Sequence, residues 1–435
     1  MSKLDLIGIG IGPFNLSLAA LFEKVKDQNV QFFEKKAQFE WHSEIIFADS
    51  YMQTNYLKDL VTPVDPMNEC SFLNYLVTHK LFYSFLHTQR TTVTRKEFEQ
   101  YCIWVAEKLK NKLKFKEEVE SIDFTDNHFV VKTSDGQYSS KNICVATGLV
   151  PRVPDCAQKY VGPHVFHAKS AVLKNIDLKG KTVAIIGGGQ TGIEVFRNAL
   201  LGHWGKAKSL NLITSRKTLE PLDESAFTNE YFTPNYVNSF WGLEAEKKAK
   251  IVASQKLASD GNTPSYLLQL YNDLYRMKFI DTQEPEQTKF KILAYRKMFD
   301  LHKTGRGYEL DLKNSYYDKV EKLKADVVIL CTGFQSTIPK SLEPLYPKIQ
   351  FDHEGRFTFQ RSYAINWDGP SENKIYALNF SRHNHGIIDP QTSLMAWRSA
   401  TVINDITGRA VYETEQIQPN FVDYNLLNDN DNDNE

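Results

Sequence analysis

The sequence has few cysteines and does not pair them. Five cysteines occur among 435 residues, and none stands in a Cys-x-x-Cys pair. An odd count without such pairs argues against a disulfide framework and against a zinc site, so we expect no bound metal. Unpaired cysteines are typical of a reducing compartment, and we therefore expect a cytoplasmic protein.

Long apolar runs and an excess of charge are also absent. The sequence contains no stretch of about 18 apolar residues, so we expect no membrane span. Residues 1–9 lack the basic region, long apolar run and cleavage site of a signal peptide. Lys and Arg number 52 and Asp and Glu number 53, which gives a net charge of -1. No overall electrostatic field therefore favours binding to nucleic acid or to an anionic membrane.

The N-terminus contains a strand, a glycine turn and a helix. The apolar run 4–9 predicts a buried strand, and apolar residues recur at helical spacing from residue 14 onward. Between them lie Gly8, Gly10, Gly12 and Pro13. Glu34 ends the next predicted strand, at about the spacing of 20 residues that dinucleotide-binding units show. Such glycines let the backbone approach a pyrophosphate, and such a carboxylate binds the ribose of FAD or NAD.

The same pattern returns in the middle of the chain. Residues 182–186 predict a strand and residues 193–201 a helix. The loop between them matches Gly-x-Gly-x-x-Gly and contains Gly187, Gly189, Gln190, Thr191 and Gly192. After the next predicted strand, Arg216 stands where Glu34 stands in the first unit. Arginine pairs with a 2′-phosphate, so this unit suits NADPH, although Arg216 and Lys217 could also form a solvated basic turn.

These two units define the expected fold. Strands that alternate with helices predict an α/β protein with parallel sheets, here with two Rossmann-like dinucleotide-binding domains. The aromatic-rich stretch 223–279 is interpreted as a small helical insertion that binds substrate. We expect a discontinuous FAD-binding domain formed by 1–160 and 331–427. We expect an NADPH-binding domain formed by 161–222 and 280–330, and a disordered tail at 428–435.

Motifs outside the glycine loops carry a more specific signal. Together with the loops they lie at 8–16, 39–42, 52–61, 71–76, 187–190, 222–227, 229–230, 385–386 and 390–398. In these segments the chain resembles the flavin-dependent N-hydroxylating monooxygenases of siderophore biosynthesis, and the similarity extends over nearly the whole chain. It looks most similar to the lysine N6-hydroxylase branch of aerobactin synthesis. The ornithine N5-hydroxylases and the histamine N-monooxygenases of acinetobactin-type siderophores are related alternatives.

The resemblance implies a reaction that depends on FAD and NADPH. NADPH reduces FAD, O2 adds to the flavin as a C4a-hydroperoxide, and a neutral primary amine attacks the distal oxygen to become a hydroxylamine. Because the flavin carries the chemistry, no catalytic triad is expected. Besides the glycine turn and Glu34, the positions that match the family's flavin-proximal positions are Trp41, His42, Met52, Gln53, Arg95, His385, Gly386 and Ser393.

The resemblance also implies a substrate pocket. Lys58 matches a lysine that binds the substrate carboxylate in ornithine-hydroxylating relatives, a role that suits an ammonium group. Gln53, Asn229 and Ser393 match positions near the amine, and Asn229 also matches a position near the nicotinamide. The Asn-Tyr-Ser motif of the ornithine enzymes is absent from 257–262. This departure argues against ornithine and leaves L-lysine or a decarboxylated amine such as histamine or a diamine.

Other functions remain open on the sequence alone. An L-ornithine N5-hydroxylase and a non-catalytic NADP- and flavin-binding protein are the two alternatives. A disulfide reductase of similar fold would need a redox cysteine pair, which the sequence lacks. The expected partners are therefore a small amine and O2. Relatives are commonly dimers or tetramers, so a homo-oligomer is expected as well.

Overall fold

The computed structural model describes residues 3–281, 288–415 and 420–424. The tail predicted to be disordered, 428–435, lies outside the described residues. In chain order, the strands are β1 (Lys3–Ile9), β2 (Val30–Glu34), β3 (Leu113–Phe115), β4 (Val119–Thr125), β5 (His128–Thr133), β6 (Gln137–Val145), β7 (Val150–Pro151), β8 (Val165–His167), β9 (Thr182–Ile186), β10 (Ser209–Ile213), β11 (Lys289–Leu293), β12 (Arg296–Thr304), β13 (Gly307–Asn314), β14 (Lys319–Ala325), β15 (Val327–Leu330), β16 (Phe334–Gln335) and β17 (Ile375–Ala377). The helices are α1 (Pro13–Leu21), α2 (Phe72–Thr78), α3 (Phe82–His87), α4 (Arg95–Lys108), α5 (Asp155–Gln158), α6 (Val172–Asn175), α7 (Gln190–Leu200), α8 (Pro234–Trp241), α9 (Ala245–Ser254), α10 (Lys256–Asp260), α11 (Pro264–Tyr275), α12 (Arg382–His385) and α13 (Met395–Thr407).

The first sheet carries the N-terminal glycine turn. Its strand order is β3-β2-β1-β6-β5-β4, and β17 also pairs with β6. β1 runs parallel to β2 and β6, whereas β4 and β5 form an antiparallel meander with β6. β1 is buried on both faces, since Leu6 belongs to one apolar cluster and Ile7 to another. Burial on both faces explains the uninterrupted apolar run of this strand.

The second sheet carries the mid-chain glycine loop. Its order is β11-β10-β9-β15-β8, and all of these strands are parallel. The antiparallel sheet β12-β13-β14 follows β11, and the short antiparallel pair of β7 and β16 joins the two units. Each glycine turn lies at the carboxyl edge of parallel strands, which is where open α/β sheets bind their ligands.

Helices α8 to α11 lie between β10 and β11 in the chain. Val237 of α8 packs into an apolar cluster of the first unit, whereas Tyr266 and Leu270 of α11 pack into a cluster of the second. A backbone bridge between Pro221 and Asn262 joins the start of this segment to the residues just before α11. The helical segment therefore packs against an apolar cluster of each unit.

The elements around the glycine turns are those that the sequence predicts. β1, β9 and β10 occupy the predicted apolar runs. α7 begins at Gln190 rather than Ile193, because the last residues of the glycine loop already form its first turn. The predicted α/β class with two dinucleotide-binding units is confirmed. Within the described ranges, no helix combines the length and apolar character needed to cross a bilayer.

Candidate active site

In the first glycine turn, one glycine is required by the backbone conformation, and a second leaves space where a side chain would otherwise lie. Gly10 has a φ of +86°, and a Cβ added there would lie 2.7 Å from the carbonyl oxygen of Ala146. Gly12 precedes α1 with an extended backbone, and an added Cβ would meet no protein atom within 4 Å. Pro13 opens the helix. This space beside the free N–H groups of a helix N-terminus is what a pyrophosphate needs.

Gly8 has a different place from the one the pattern suggests. It lies inside β1, where an added Cβ would come within 2.0 Å of the ring of Phe32. The register of the turn therefore starts at Gly10, and Asn15 occupies the position of the third glycine. The Asn15 side-chain amide donates to the carbonyl oxygen of Gly10 at 2.8 Å. Gly8 thus allows close packing of two strands and does not form part of the turn.

The second loop repeats the geometry and keeps its third glycine. Gly187 has a φ of +122°, and Gly189 has open space around an added Cβ. A Cβ at Gly192 would lie 1.8 Å from the carbonyl oxygen of Gly187, so α7 approaches β9 only with glycine at this position. Gln190 and Thr191 form the first turn of α7. The two turns are therefore equivalent supports for two nucleotides.

Glu34 and Arg216 follow matching strands and carry opposite charges. The Glu34 carboxylate accepts a hydrogen bond from the backbone N–H of Ile11 at 3.0 Å, which holds it beside the first turn. Arg216 donates to the carbonyl oxygen of Asp260 at 2.8 Å, and its Nε lies 3.7 Å from a carboxylate oxygen of Glu220. The buried Nη1 of Arg216 has no hydrogen-bond partner in the described part of the chain. A guanidinium N–H left free beside a dinucleotide loop suits a phosphate.

Trp41 and His42 pack against each other. The ring centroid of His42 lies 5.1 Å from that of Trp41 and 5.6 Å from that of Phe334. Burial, reinforced by the charge of Lys169, lowers the pKa of His42 to about 3. The imidazole is therefore neutral at physiological pH, because burial disfavours its charged form.

Arg95 forms an ion pair between the two units. Its Nη1 lies 3.0 Å from Oε2 of Glu194 and donates to the carbonyl oxygen of Ile45 at 3.3 Å. Glu194 is fully buried on α7, the helix that follows the second glycine loop. Arg95 therefore joins α4 to α7. The family resemblance, which implies a place for Arg95 near FAD, does not predict this contact.

Four side chains from separate parts of the sequence line one small cavity. They are the positions predicted to face the substrate, namely Gln53, Lys58, Asn229 and Ser393. The cavity has a volume of about 60 Å³. A water needs roughly 10–15 Å³ by this measure, so the cavity suits a small molecule and not a dinucleotide. Met52 lines an adjoining hollow together with Lys58.

Lys58 supplies an unpaired positive charge to the cavity. Its ammonium has no hydrogen-bond or ion-pair partner among the described residues, and burial lowers the pKa of Lys58. The adjacent Asp59 does not neutralise it, because the Asp59 carboxylate accepts hydrogen bonds from the N–H groups of Val61, Thr62 and Phe72. A half-buried ammonium without a counter-ion suits an anionic group of a ligand.

Two acidic residues line the same cavity. The Asp223 carboxylate accepts from the N–H of Ser225 at 3.4 Å, and its hydrogen bond with Thr228 holds the pKa of Asp223 below its usual range. The Glu224 carboxylate has no hydrogen-bond or ion-pair partner among the described residues. The carbonyl oxygen of Glu224 accepts from the side-chain amide of Asn229 at 3.4 Å, which orients that amide.

Gln53 connects the cavity to the helical segment. Its amide donates to the carbonyl oxygen of Gly261 at 3.3 Å and to Oγ1 of Thr263 at 3.2 Å. A Cβ at Gly261 would lie 2.2 Å from Cα of Leu222, so no side chain fits there. The stretch that lacks the Asn-Tyr-Ser motif thus contributes backbone, and not a side chain, at this position.

The His385-Gly386 turn and Ser393 have different surroundings. His385 is fully buried with its ring stacked on Tyr363 at 3.9 Å, and burial lowers its pKa to about 3. Gly386 has a φ of +86°. Neither residue is among those that line the cavity. Ser393 does line it, and the buried hydroxyl has no hydrogen-bond partner within the described ranges.

Several residues that shape the site were not singled out by the sequence analysis. Asn262 is fully buried and donates to the carbonyl oxygens of Gly188 and Glu220, both at 3.0 Å. It thereby holds the second glycine loop against the helical segment. Ser259 and Gln391 line the cavity beside Lys58. Their neighbours are distant in sequence, so no local spacing marks them; only their position in segments that resemble the family gives a signal.

The fold and the site together define a class of oxidoreductase that has two dinucleotide-binding units and a small charged pocket between the first unit and the helical segment. Within that class the family is also established. The sequence profile of the L-lysine 6-monooxygenase/L-ornithine 5-monooxygenase family matches residues 2–336, and the chain belongs to this family.

Individual relatives cover nearly the whole chain. The chain is 41% identical to the L-lysine N6-monooxygenase of Escherichia coli over 413 residues, which are 94% of this chain and 96% of that protein. It is 32% identical to the putrescine N-hydroxylase of Acinetobacter baumannii over 420 residues, 95% and 92% of the two chains. A crystal structure of an FAD-bound cadaverine monooxygenase from Erwinia amylovora matches with a TM-score of 0.90 and 28% identity, covering 98% of this chain and 100% of that one. The predicted resemblance to the N-hydroxylating monooxygenases is confirmed.

Proposed function

We propose that this chain hydroxylates the terminal amine of L-lysine, with FAD, NADPH and O2, to a hydroxylamine for siderophore biosynthesis. The observation that carries the proposal is the small cavity in which Lys58, Gln53, Asn229 and Ser393 meet. The L-lysine N6-monooxygenase with 41% identity supports the same substrate. A reducing cytoplasm supplies NADPH and keeps the five free cysteines reduced.

The two glycine turns fit the two nucleotides. The open space at Gly12 and the N–H groups of α1 receive the FAD pyrophosphate, and Glu34 receives its adenosine ribose. Gly189 offers the same space to NADPH, and the free N–H of Arg216 receives the 2′-phosphate. Bound FAD, reduced by NADPH, supplies the oxygen-transfer chemistry.

The residues of the cavity bind and orient the amine. Lys58 takes the substrate carboxylate, so the far end of the substrate is directed to the neutral groups of Gln53, Asn229 and Ser393. These amides and this hydroxyl both donate and accept hydrogen bonds. They can therefore hold the amine in its neutral form, and only the neutral amine is nucleophilic.

A direct assay tests this function. The FAD-reconstituted protein is incubated with NADPH, O2 and L-lysine, and the product is analysed by mass spectrometry for one added oxygen atom on the terminal nitrogen. L-norleucine, which lacks the terminal amine, serves as the control. Consumption of NADPH without a hydroxylamine from L-lysine would overturn the proposal.

A decarboxylated diamine is the second candidate substrate. Two relatives act on putrescine and cadaverine, and the free carboxylate of Glu224 offers a diamine a place for its distal ammonium. Competition between L-lysine and cadaverine decides between the candidates. Lys58 favours L-lysine, because its charge contributes nothing to a molecule without a carboxylate.

A further inference from the structure

The substrate cavity contains two opposite charges that do not neutralise each other. Lys58 and Glu224 both line it, yet no ion pair joins them, and neither charged group has another partner among the described residues. Pairing with an acidic group would offset part of the cost of burying the Lys58 ammonium. Two separate, unpaired charges around one small cavity suggest a ligand that carries both opposite charges itself.

The other acidic groups near the cavity already have partners. Asp223 is held by Ser225 and Thr228, and Asp260 lies 3.4 Å from Nη2 of Arg382. Glu220 lies 3.7 Å from Arg216. Glu224 is therefore the acidic residue of this cavity whose carboxylate remains available.

The backbone around Glu224 is fixed although its side chain is exposed. Its carbonyl oxygen accepts from Asn229, and the neighbouring Asp223 N–H donates to the carbonyl oxygen of Leu257 at 3.0 Å. Glu224 thus follows a residue that is tied to α10, which also supplies Ser259 to the cavity. The side chain starts from a defined position at the cavity wall.

We propose that Glu224 binds the α-ammonium group of the substrate while Lys58 binds its α-carboxylate. This inference rests on the proposed function and adds a contact that recognises the α-amine of L-lysine. An ammonium–carboxylate contact is a charge-assisted hydrogen bond, and a pair of such contacts fixes the head group in one orientation. The terminal amine is then directed away from both charges.

Three related molecules separate the two contacts. L-lysine has both head groups, cadaverine lacks the carboxylate, and 6-aminohexanoic acid lacks the α-amine. Each is measured as a substrate and, where turnover is slow, as a competitive inhibitor of L-lysine hydroxylation. The variants are Glu224→Gln and Lys58→Met, with Glu246→Gln as a matched control because Glu246 is an exposed acid on the same helical segment that pairs with Lys250.

The expected result is a crossed pattern. Glu224→Gln should raise KM or Ki about 10-fold for L-lysine and cadaverine and leave that for 6-aminohexanoic acid nearly unchanged. Lys58→Met should raise KM or Ki for L-lysine and 6-aminohexanoic acid and leave the value for cadaverine nearly unchanged. Glu246→Gln should change none of them and should match the parent in FAD content and in NADPH oxidation without amine.

Two outcomes would overturn the inference. One is a Glu224→Gln variant that binds L-lysine as tightly as the parent. The other is an equal loss for all three molecules, which would show a general effect on the cavity. Failure of the proposed function looks different, because then the parent itself would form no hydroxylamine from any of the three.

Discussion

At the scale of single residues, the two glycine turns distinguish glycines that serve the backbone from glycines that leave room for a ligand. Gly10 and Gly187 have positive φ values, and an added Cβ would meet backbone atoms. Gly12 and Gly189 have extended backbones, and an added Cβ would meet no protein atom. A side chain is therefore tolerated by the fold at Gly12 and Gly189 but obstructs a bound pyrophosphate.

We expect Gly12→Val to lose FAD affinity while the chain still folds. Blocking one phosphate contact costs about 1.5–3 kcal/mol, which is roughly a 10- to 150-fold weaker FAD affinity. Quenching of FAD fluorescence measures the affinity, and circular dichroism checks the fold. The matched variant Gly189→Val should keep FAD affinity and raise the KM for NADPH. Unchanged FAD affinity in Gly12→Val would place the pyrophosphate elsewhere.

Arg216→Ala should impair the use of NADPH much more than that of NADH. Loss of a charge-assisted contact with the 2′-phosphate costs about 1.5–3 kcal/mol, or roughly 10- to 150-fold in KM. Steady-state kinetics with both nucleotides measure this. Because Arg216 also donates to Asp260, Arg216→Lys serves as the control that keeps the charge. An equal loss with NADPH and NADH would show that this arginine has a structural role only.

Because it depends on the charge of Lys58, kcat/KM for L-lysine should decrease at alkaline pH. Burial lowers the pKa of Lys58 below 10.5. Its cationic form, which exists below that pKa, is thus lost at a lower pH than in an exposed lysine. Because kcat/KM reports groups of the free enzyme, kcat/KM for L-lysine should fall as pH rises through this pKa. The Lys58→Met variant should lack this fall, and a fall of equal size in the parent and the variant would contradict the assignment.

What the sequence could predict at this scale depends on distance along the chain. Glu34 and Arg216 follow from local spacing after a glycine turn. Arg95 and Glu194 are 99 residues apart, and no local pattern links them. Gly8 shows a further limit, because three alternating glycines fit two registers of the turn. Only the packing of Gly8 against Phe32 decides between them.

At the scale of elements, the start of α13 depends on one buried ion pair. Arg398 is fully buried and donates to the carbonyl oxygens of Asp389 at 2.7 Å and Gln391 at 3.2 Å. The Asp389 carboxylate lies 3.3 Å from Nη1 of Arg398 and accepts from the hydroxyl of Ser381 at 2.8 Å. These contacts fix the loop that carries Gln391 and Ser393 into the cavity. The sequence predicts the glycine-turn helices from their apolar periodicity, but not this loop, whose shape comes from polar contacts.

Arg398→Met should destabilise the protein, because it leaves the Asp389 carboxylate buried without a counter-ion. Breaking a buried pair from one side costs about 3–5 kcal/mol of the free energy of unfolding. Urea denaturation followed by tryptophan fluorescence measures the change. Arg409→Met, which breaks the exposed pair with Asp27, is the control and should leave the urea midpoint nearly unchanged. A similar midpoint in both variants would contradict a supporting role for Arg398.

At the scale of the whole molecule, a chain of hydrogen bonds connects the two dinucleotide units and the helical segment. Glu194 pairs with Arg95 and accepts from the side-chain amide of Gln190 at 2.8 Å. The Gln190 side-chain oxygen accepts from the N–H of Thr263 at 2.8 Å, and Oγ1 of Thr263 accepts from Gln53 at 3.2 Å. The chain thus runs from a buried ion pair, through the second glycine loop, to the substrate cavity. Apart from Gln190 and Glu194, which lie four residues apart on α7, these partners are distant in sequence. The geometry that brings the nucleotide loop and the cavity together therefore emerges only in the folded molecule.

Thr263→Val should uncouple NADPH consumption from hydroxylamine formation. The variant keeps the backbone N–H that Gln190 binds but removes the acceptor that orients Gln53, which then retains only the carbonyl oxygen of Gly261. A neutral hydrogen bond is worth about 0.5–1.5 kcal/mol, so the correctly oriented fraction of Gln53 should fall roughly 2- to 12-fold. The measurement is the ratio of hydroxylamine formed to NADPH oxidised, with NADPH oxidation in the absence of amine as a control that should stay unchanged.

Thr263→Ser keeps the hydroxyl and should restore the ratio. Equal coupling in the Val and Ser variants would show that this contact does not position Gln53 for the reaction.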